Sequence, residues 1–143
     1  MLDLSGGSAE SGQRIMIVDD GEDITMVLKR GLEKHGFRIS AFTDPLLALS
    51  NFEKDLYDLV LLDIKMPKMD GFELYQNIQK IDKEVKVCFM TALEVYYDAL
   101  KELFPDSYSS LCFIRKPFAI EEFAKRIDKE NRQRDSRGKD ERT

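Results

Sequence analysis

Short apolar runs along the chain alternate with stretches in which apolar residues recur every three or four positions. Continuous runs of this length are typical of strands that are buried on both faces. Five such runs predict strands: Ile15–Val18, Phe37–Ala41, Leu59–Leu62, Val85–Met90 and Leu111–Ile114. The periodic stretches between and after them predict amphipathic helices. Strands and helices in this alternation predict an α/β domain in which a parallel sheet lies between two layers of helices.

Local signals mark where the helices begin and end. Gly36 is placed to end the first helix in a left-handed conformation, and His35 beside it is interpreted as a surface residue that complements the helix dipole. Asp44-Pro45 is a typical N-cap and first-turn pair for the second helix. Five apolar stripes predict the helices themselves: Ile24, Val27, Leu28 and Leu32; Leu46, Leu49 and Phe52; Leu74, Tyr75 and Ile78; Val95, Ala99, Leu100 and Leu103; Ile120, Phe123, Ala124 and Ile127.

The chain of 143 residues has room for one ordinary domain. We expect a flexible leader over residues 1–13, a domain over residues 14–127, and a charged helix end and tail over residues 128–143. No apolar run is long enough to span a bilayer, and the first residues lack the pattern of a signal peptide, so we expect a cytoplasmic protein without membrane contact. A net charge of −5 argues against a general nucleic-acid-binding surface.

The two cysteines, Cys88 and Cys112, both lie inside apolar runs. A free thiol in such a position behaves as a small hydrophobic side chain, and no disulfide framework or zinc-binding spacing is visible. We therefore expect reduced thiols in the core. If their strands are adjacent, the two sulfurs could form a redox pair instead.

Polar residues follow the predicted strands at their carboxyl ends. Asp19 and Asp20 follow the first strand, Asp63 the third, Thr91 the fourth and Lys116 the fifth. In an open parallel sheet these ends meet at one edge, where ligands bind. Two like charges about 4 Å apart repel by about 4 kcal/mol at an effective dielectric of about 20, so three carboxylates there call for a cation. An all-oxygen ligand set favours Mg²⁺, and a carboxylate beside that metal could accept a phosphoryl group.

Four segments resemble the motifs of one protein family: Ile17-Val18-Asp19-Asp20, Leu61 to Gly71, Met90-Thr91-Ala92 and Lys116-Pro117-Phe118. In this order and at strand ends, they resemble the receiver domain of two-component response regulators. The resemblance extends from about Arg14 to Ile127. It implies a flavodoxin-like, doubly wound sheet of five parallel strands in the order 2-1-3-4-5.

The resemblance also implies a ligand set for Mg²⁺. Asp20 and Asp63 would ligate the metal directly, and Asp19 would act mostly through water. The backbone carbonyl of Lys65 would complete the protein ligands.

Further roles follow from the same resemblance. Asp63 would accept a phosphoryl group from a phospho-histidine and form an acyl phosphate. Thr91 and Lys116 would then contact the phosphoryl oxygens, and a cis bond before Pro117 would orient the lysine. As Thr91 moves, Phe113 would rotate inward and change the surface of the last helices.

A receiver domain implies signalling rather than enzymatic turnover. A sensor histidine kinase or phosphotransfer protein would donate the phosphoryl group, and the switched surface would bind a downstream protein that the sequence does not name. Because the flanking segments are too short for an effector domain, we expect a stand-alone receiver, with a phosphorylation-dependent homodimer left open. The alternative is a pseudo-receiver that binds proteins without phosphorylation.

Two enzymatic or cofactor-binding interpretations are disfavoured. Aspartyl phosphatases commonly carry an Asp-x-Asp pair, whereas Asp63 is followed by Ile64-Lys65. A flavin-binding variant needs a phosphate-cradling loop after the first strand, and none is present.

Taken singly, the candidate residues have ordinary structural interpretations. Asp19, Asp20 and Thr91 could each cap a helix, Lys116 could be a solvated side chain, and Phe113 could be a core residue. Their joint arrangement at strand ends favours the receiver.

Some features depart from the usual pattern of that family. Residues 103–110 replace a short connection and put the usual dimer face in doubt. Lys65 and Leu93 lie two residues after Asp63 and Thr91, where their side chains could screen water, so we predict slow self-dephosphorylation. The loop after Asp63 is expected to be shaped by three structural residues: Pro67, Asp70 and Gly71.

Overall fold

The computed structural model describes residues 13–91, 102, 112–116 and 119–127, with Thr91 described by its backbone alone. Its strands are β1 Arg14–Val18, β2 Arg38–Phe42, β3 Leu59–Asp63, β4 Lys86–Thr91 and β5 Cys112–Arg115. Its helices are α1 Glu22–Lys34, α2 Pro45–Ser50 and α3 Gly71–Ile81, and residues 120–127 are also helical. The strands are all parallel and lie in the order β2-β1-β3-β4-β5, which confirms the predicted doubly wound α/β fold.

Several predicted features lie outside the described residues: the leader up to residue 12, the helix through Val95 and Leu103, residues 103–110, Leu93, Pro117 and the tail over residues 128–143. Within the described part of the chain, no helix combines the length and apolar character needed to cross a membrane.

Alternate residues of the central strands point to opposite faces of the sheet, and both faces are buried. Ile15 and Ile17 of β1 pack on one face in a cluster with residues of α1 and of helix 120–127. Met16 and Val18 pack on the other face with residues of α2 and α3. This burial on two sides is the reason that the strands have continuous apolar runs instead of alternating ones.

The inner face of α1 differs from the predicted stripe. Leu28 and Leu32 are buried as expected, but Ile24 is 37% exposed and Val27 is 55% exposed. The buried position one turn before Leu28 belongs to Thr25, whose hydroxyl donates hydrogen bonds to the carbonyl oxygens of Asp19 and Gly21. The prediction was wrong here because a threonine with these partners can face the interior without the apolar character that the pattern detects.

The predicted helix boundaries are largely confirmed. Gly36 has a φ of 92°, the left-handed conformation that ends α1. Asp44 accepts a 2.9 Å hydrogen bond from the amide of Leu46 and caps α2, with Pro45 in the first turn. The strand β2 begins one residue later than predicted, because the amide of Phe37 donates to the carbonyl of Leu32 and closes the helix end.

Cys88 and Cys112 are joined by a disulfide bond. The expectation of reduced thiols was therefore wrong. The parallel register of β4 and β5 places the two residues directly opposite each other, with their Cα atoms 4.4 Å apart, and this lies within the range that a disulfide can bridge. The alternative of a redox pair also required adjacent strands with the two sulfurs close together, and the structure shows that arrangement.

Candidate functional site

Asp63 is the last residue of the central strand β3 and is 8% exposed. The loop that follows folds back on the strand end, because the amide of Gly71 donates a 2.8 Å hydrogen bond to the carbonyl of Ile64. A side chain at Gly71 would overlap the backbone carbonyl of Asp63, so a glycine is required at this close approach. Asp70 and Glu73 form a capping box that fixes the start of α3. Asp63 is thus held at a rigid corner of the sheet.

Asp19 and Asp20 follow β1 but lie in different environments. Asp19 is 2% exposed, whereas Asp20 is exposed to solvent. The Oδ1 atom of Asp19 accepts a 2.9 Å hydrogen bond from the amide of Gly21. Its backbone carbonyl accepts the hydroxyl of Thr25 at 2.9 Å, so the base of α1 fixes the orientation of Asp19.

Lys116 reaches the two buried carboxylates from the end of β5. Its Nζ atom donates a 2.6 Å hydrogen bond to Oδ2 of Asp19 and lies 3.4 Å from Oδ1 of Asp63. The sequence interpretation placed Lys116 at the same edge but did not predict that it pairs with Asp19. With Gly21 on Oδ1 and Lys116 on Oδ2, both carboxylate oxygens of Asp19 have protein partners.

Burial and charge act in opposite directions on these groups. Burial is the largest cause that raises the pKa of Asp63, and the negative charge of Asp19 adds to it. Lys116 partly opposes both, and the net result is a pKa of about 6. Burial lowers the pKa of Lys116, but its hydrogen bond to Asp19 and the charges of Asp63 and Asp19 outweigh burial, so the net shift is upward. Lys116 therefore stays protonated, while Asp63 is held close to the point at which it would take up a proton.

The three carboxylates form a cluster that fits a divalent cation. Asp19, Asp20 and Asp63 each offer an oxygen, and these atoms lie within 4.8 Å of one another. Lys116 supplies a single positive charge against the three negative charges of the ionised cluster. An oxygen ligand set with two uncompensated negative charges suits Mg²⁺.

The remaining predicted site residues are placed near this edge. Thr91 ends β4 opposite Arg115 in the register, and the structure describes only the backbone of Thr91. Phe113 of β5 is half-buried, and its ring stacks on that of Phe89 at a centroid distance of 5.7 Å. Lys65 lies in the loop after Asp63 with its side chain exposed.

Sequence reasoning missed two residues that support the site. Thr25 anchors the backbone of Asp19, and the amide of Gly21 holds one of its oxygens. A threonine at the spacing of the buried positions Leu28 and Leu32 was the signal that could have identified the first. A hydrogen bond from a backbone amide leaves no signal in the sequence, so Gly21 could not have been identified.

Curated relatives match about four-fifths of this chain. The chain is 35% identical over 120 residues to the sporulation initiation phosphotransferase F of Bacillus subtilis, covering 82% of this chain and 92% of that protein. It is 33% identical over 117 residues to the transcriptional regulatory protein RprY of Bacteroides fragilis, covering 80% of this chain and 48% of RprY. The chain thus spans about half the length of the transcriptional regulatory proteins that it matches.

A CheY-like response regulator receiver domain protein of Methanospirillum hungatei JF-1 superimposes with a TM-score of 0.76 and 25% identity. The match covers 88% of this chain and 98% of that structure. The family model described as the response regulator receiver domain matches residues 15–128. With the predicted strand order and the acidic edge in place, the chain belongs to the receiver domain family of response regulators.

Proposed function

We propose that Asp63 accepts a phosphoryl group from a phospho-histidine and that its phosphorylation switches a protein-binding surface. The donor would be a sensor histidine kinase or a phosphotransfer protein. The observation that carries this proposal is the buried carboxylate of Asp63 at the end of the central strand, with the Nζ atom of Lys116 3.4 Å away. In phosphoryl transfer, the negatively charged carboxylate must approach a negatively charged phosphoryl group. A fixed ammonium beside the carboxylate reduces the repulsion between them.

Receiver domains are signalling domains rather than classical enzymes, and they interact with histidine kinases or phosphotransfer proteins. They typically bind Mg²⁺ in an acidic pocket. For this chain we assign the direct ligands to Asp20, Asp63 and the backbone carbonyl of Lys65. Asp19 would act through water, which agrees with the two protein partners already bound to its carboxylate. When bound, Mg²⁺ would supply neutralising charge for the phosphoryl oxygens.

In the transfer step, a carboxylate oxygen of Asp63 forms a bond to phosphorus while the P–N bond of the phospho-histidine breaks. The electron pair of that bond stays with the imidazole nitrogen of the donor, and an acyl phosphate remains on Asp63. Lys116 needs only a small movement from Asp63 to reach a phosphoryl oxygen on the same carboxylate. Thr91 would donate its hydroxyl to a second phosphoryl oxygen.

The switch would work through Thr91 and Phe113. A phosphoryl group adds about −1.5 to −2 charge and three acceptor oxygens, which attract a hydroxyl at the neighbouring strand end. Movement of Thr91 would open space for the ring of Phe113, which stacks on Phe89 in the described structure. Binding of a beryllofluoride mimic with Mg²⁺ should then shift the ring resonances of Phe113, and unchanged resonances would contradict the switch.

We further propose that residues 14–127 act as the functional unit and bind a downstream protein rather than nucleic acid. The acyl phosphate is expected to decay slowly, because Lys65 and Leu93 could screen attacking water. Direct measurement of its lifetime tests this, and rapid decay that is unchanged in Lys65→Ala would contradict it.

Labelling by a small phosphodonor tests the phosphoacceptor proposal against the pseudo-receiver. Acetyl phosphate with Mg²⁺ should add the mass of one phosphoryl group to the chain, and Asp63→Asn should abolish this addition. Asp55→Asn is the matched control: it removes the same charge at an exposed residue with a φ of 66°, where asparagine is well tolerated. A chain that folds, binds Mg²⁺ and takes up no label would be a pseudo-receiver.

A further inference from the structure

The disulfide between Cys88 and Cys112 lies apart from the acidic site, toward the amino ends of β4 and β5. Both residues are buried, at 3% and 4% exposure, on the sheet face covered by α1 and helix 120–127. Neither sulfur takes part in the proposed phosphoryl chemistry. The pair therefore requires an explanation of its own.

Both cysteines line a small cleft on this side of the sheet. Its walls include Leu59 and Phe123 and two cationic residues, Lys86 and Arg126. The guanidinium of Arg126, whose residue is exposed to solvent, lies 3.7 Å from the Sγ atom of Cys112. One positively charged group thus contacts both the solvent and a buried sulfur.

A neighbouring cation stabilises a thiolate relative to a thiol, and the thiolate is the form that attacks a disulfide. Cys112 has such a neighbour in Arg126, and Cys88 lies directly opposite in the register. These are the two requirements of a dithiol pair: one activated sulfur and a second sulfur within bonding distance. We propose that Cys88 and Cys112 are a reversible redox pair, oxidised by a low-molecular-weight disulfide that exchanges first with Cys112 beside Arg126.

Oxidation would proceed by two exchanges. The Cys112 thiolate attacks one sulfur of the small disulfide, a mixed S–S bond forms, and one small thiolate leaves. The sulfur of Cys88 then attacks Sγ of Cys112, and the second small thiolate leaves. Each protein thiol gives up its proton to a departing thiolate. The protein loses two electrons and the small disulfide gains them, and an excess of the small thiol reverses both steps.

The redox state of the pair would also affect the position of Phe113, the proposed switch residue. This consequence rests on the proposed function. The next residue pair in the register after Cys88 and Cys112 is Phe89 and Phe113. The bond holds the two cysteine Cα atoms 4.4 Å apart, closer than the spacing of about 4.8 Å between neighbouring strands. Reduction removes this restraint one residue before Phe113.

The test uses the full chain, reduced and then exposed to oxidised and reduced glutathione in defined ratios. Free thiols are counted by alkylation of the native protein and by intact mass. The wild type should lose both thiols and two hydrogens, and excess reduced glutathione should restore them. Cys88→Ser should instead stop at a mixed disulfide on Cys112, because the second sulfur that would release the small thiol is absent.

Arg126→Gln separates an activated pair from two cysteines that merely lie close. It should slow oxidation about threefold at neutral pH, because loss of the cation leaves less thiolate and the greater nucleophilicity of that thiolate offsets only part of the loss. Arg30→Gln removes an exposed arginine of α1 and should leave the rate unchanged.

A pair that glutathione neither oxidises nor reduces in the native chain would overturn the proposal, as would an unchanged rate in Arg126→Gln. Amide resonances of residues 113 and 116 should shift on reduction. Phosphoryl labelling of Asp63 is scored separately. Labelling without thiol exchange overturns the redox pair alone, and thiol exchange without labelling overturns the phosphoacceptor alone.

Discussion

Lys116 and Asp19 form a hydrogen-bonded ion pair of 2.6 Å between residues 97 positions apart in the sequence. The pair joins the end of β5 to the end of β1 across the acidic edge. Asp19 is 2% exposed in its side chain, so its charge has little access to water. Lys116 thus has a structural partner in Asp19 before any phosphoryl group arrives. It also lies close enough to Asp63 to contact a phosphoryl group bound there.

Removing the lysine should therefore destabilise the fold. Lys116→Ala leaves Asp19 buried without its cation, and we expect a loss of about 3 kcal/mol in the free energy of unfolding. Urea denaturation at pH 7.5 without metal measures it. Lys68→Ala is the matched control, because its Nζ atom pairs with Asp44 at an exposed site, and its unfolding curve should match that of the wild type. Equal curves for both variants would contradict the structural role of Lys116.

The raised pKa of Asp63 predicts a pH-dependent stability of the metal-free protein. Its pKa is raised from 3.8 to about 6, mainly by burial and then by Asp19, so the folded state binds this proton more tightly than the unfolded state. The resulting stabilisation is present below pH 4 and is lost as the pH rises through 6, a change of about 3 kcal/mol.

Asp63→Asn removes this dependence. The variant should be more stable than the wild type at pH 7.5, and the difference should vanish toward pH 4. Asp55→Asn serves as the control for the loss of a charge. A wild type that matches Asp63→Asn at both pH values would show that Asp63 titrates normally.

Mg²⁺ should offset most of the stability difference between the wild type and Asp63→Asn at neutral pH. A ligand that binds only the folded state at one hundred times its dissociation constant stabilises it by about 2.7 kcal/mol. The wild type should show this gain in thermal unfolding with Mg²⁺, whereas Asp20→Asn and Asp63→Asn should show much less. Asp23→Asn removes a nearby carboxylate outside the cluster and should retain the gain. An equal response in all four proteins would contradict the assigned ligands.

The disulfide should contribute to stability independently of the acidic site. It closes a loop with a sequence separation of 24 residues, for which chain entropy predicts about 3.5 kcal/mol. Urea unfolding with and without a reductant measures this difference. The double variant Cys88→Ser/Cys112→Ser should unfold at the same urea concentration in both conditions. A wild type that unfolds at the same urea concentration with and without the reductant would show that the disulfide does not stabilise the fold.

Local patterns in the sequence allowed the parallel strands and the acidic edge to be predicted, because buried strands and their polar ends are visible along the chain. The strand order came from the resemblance to receiver domains. It did not reveal the partner of Lys116. The topology brings Lys116, Asp19 and Asp63 to one edge, but which atoms pair depends on side-chain packing. The disulfide was missed for a similar reason: it depends on the register of β4 and β5, which the intervening chain does not encode locally.

The inner face of α1 shows a different limit. Apolar spacing placed Ile24 and Val27 on the same face as Leu28, yet Thr25 takes the buried position. Its hydroxyl is satisfied by two backbone carbonyls, so the helix can bury it against the strand end that carries Asp19. A pattern of apolar residues alone cannot detect a buried hydroxyl of this kind.

The most direct test of the phosphoacceptor is to locate the label. The chain is treated with acetyl phosphate and Mg²⁺, the acyl phosphate is reduced with borohydride, and the peptides are sequenced by mass spectrometry. The reduction converts a phosphorylated aspartate to homoserine. The account predicts homoserine at position 63 in the wild type. Homoserine at another aspartate, or at none in a chain that is folded and bound to Mg²⁺, would contradict it.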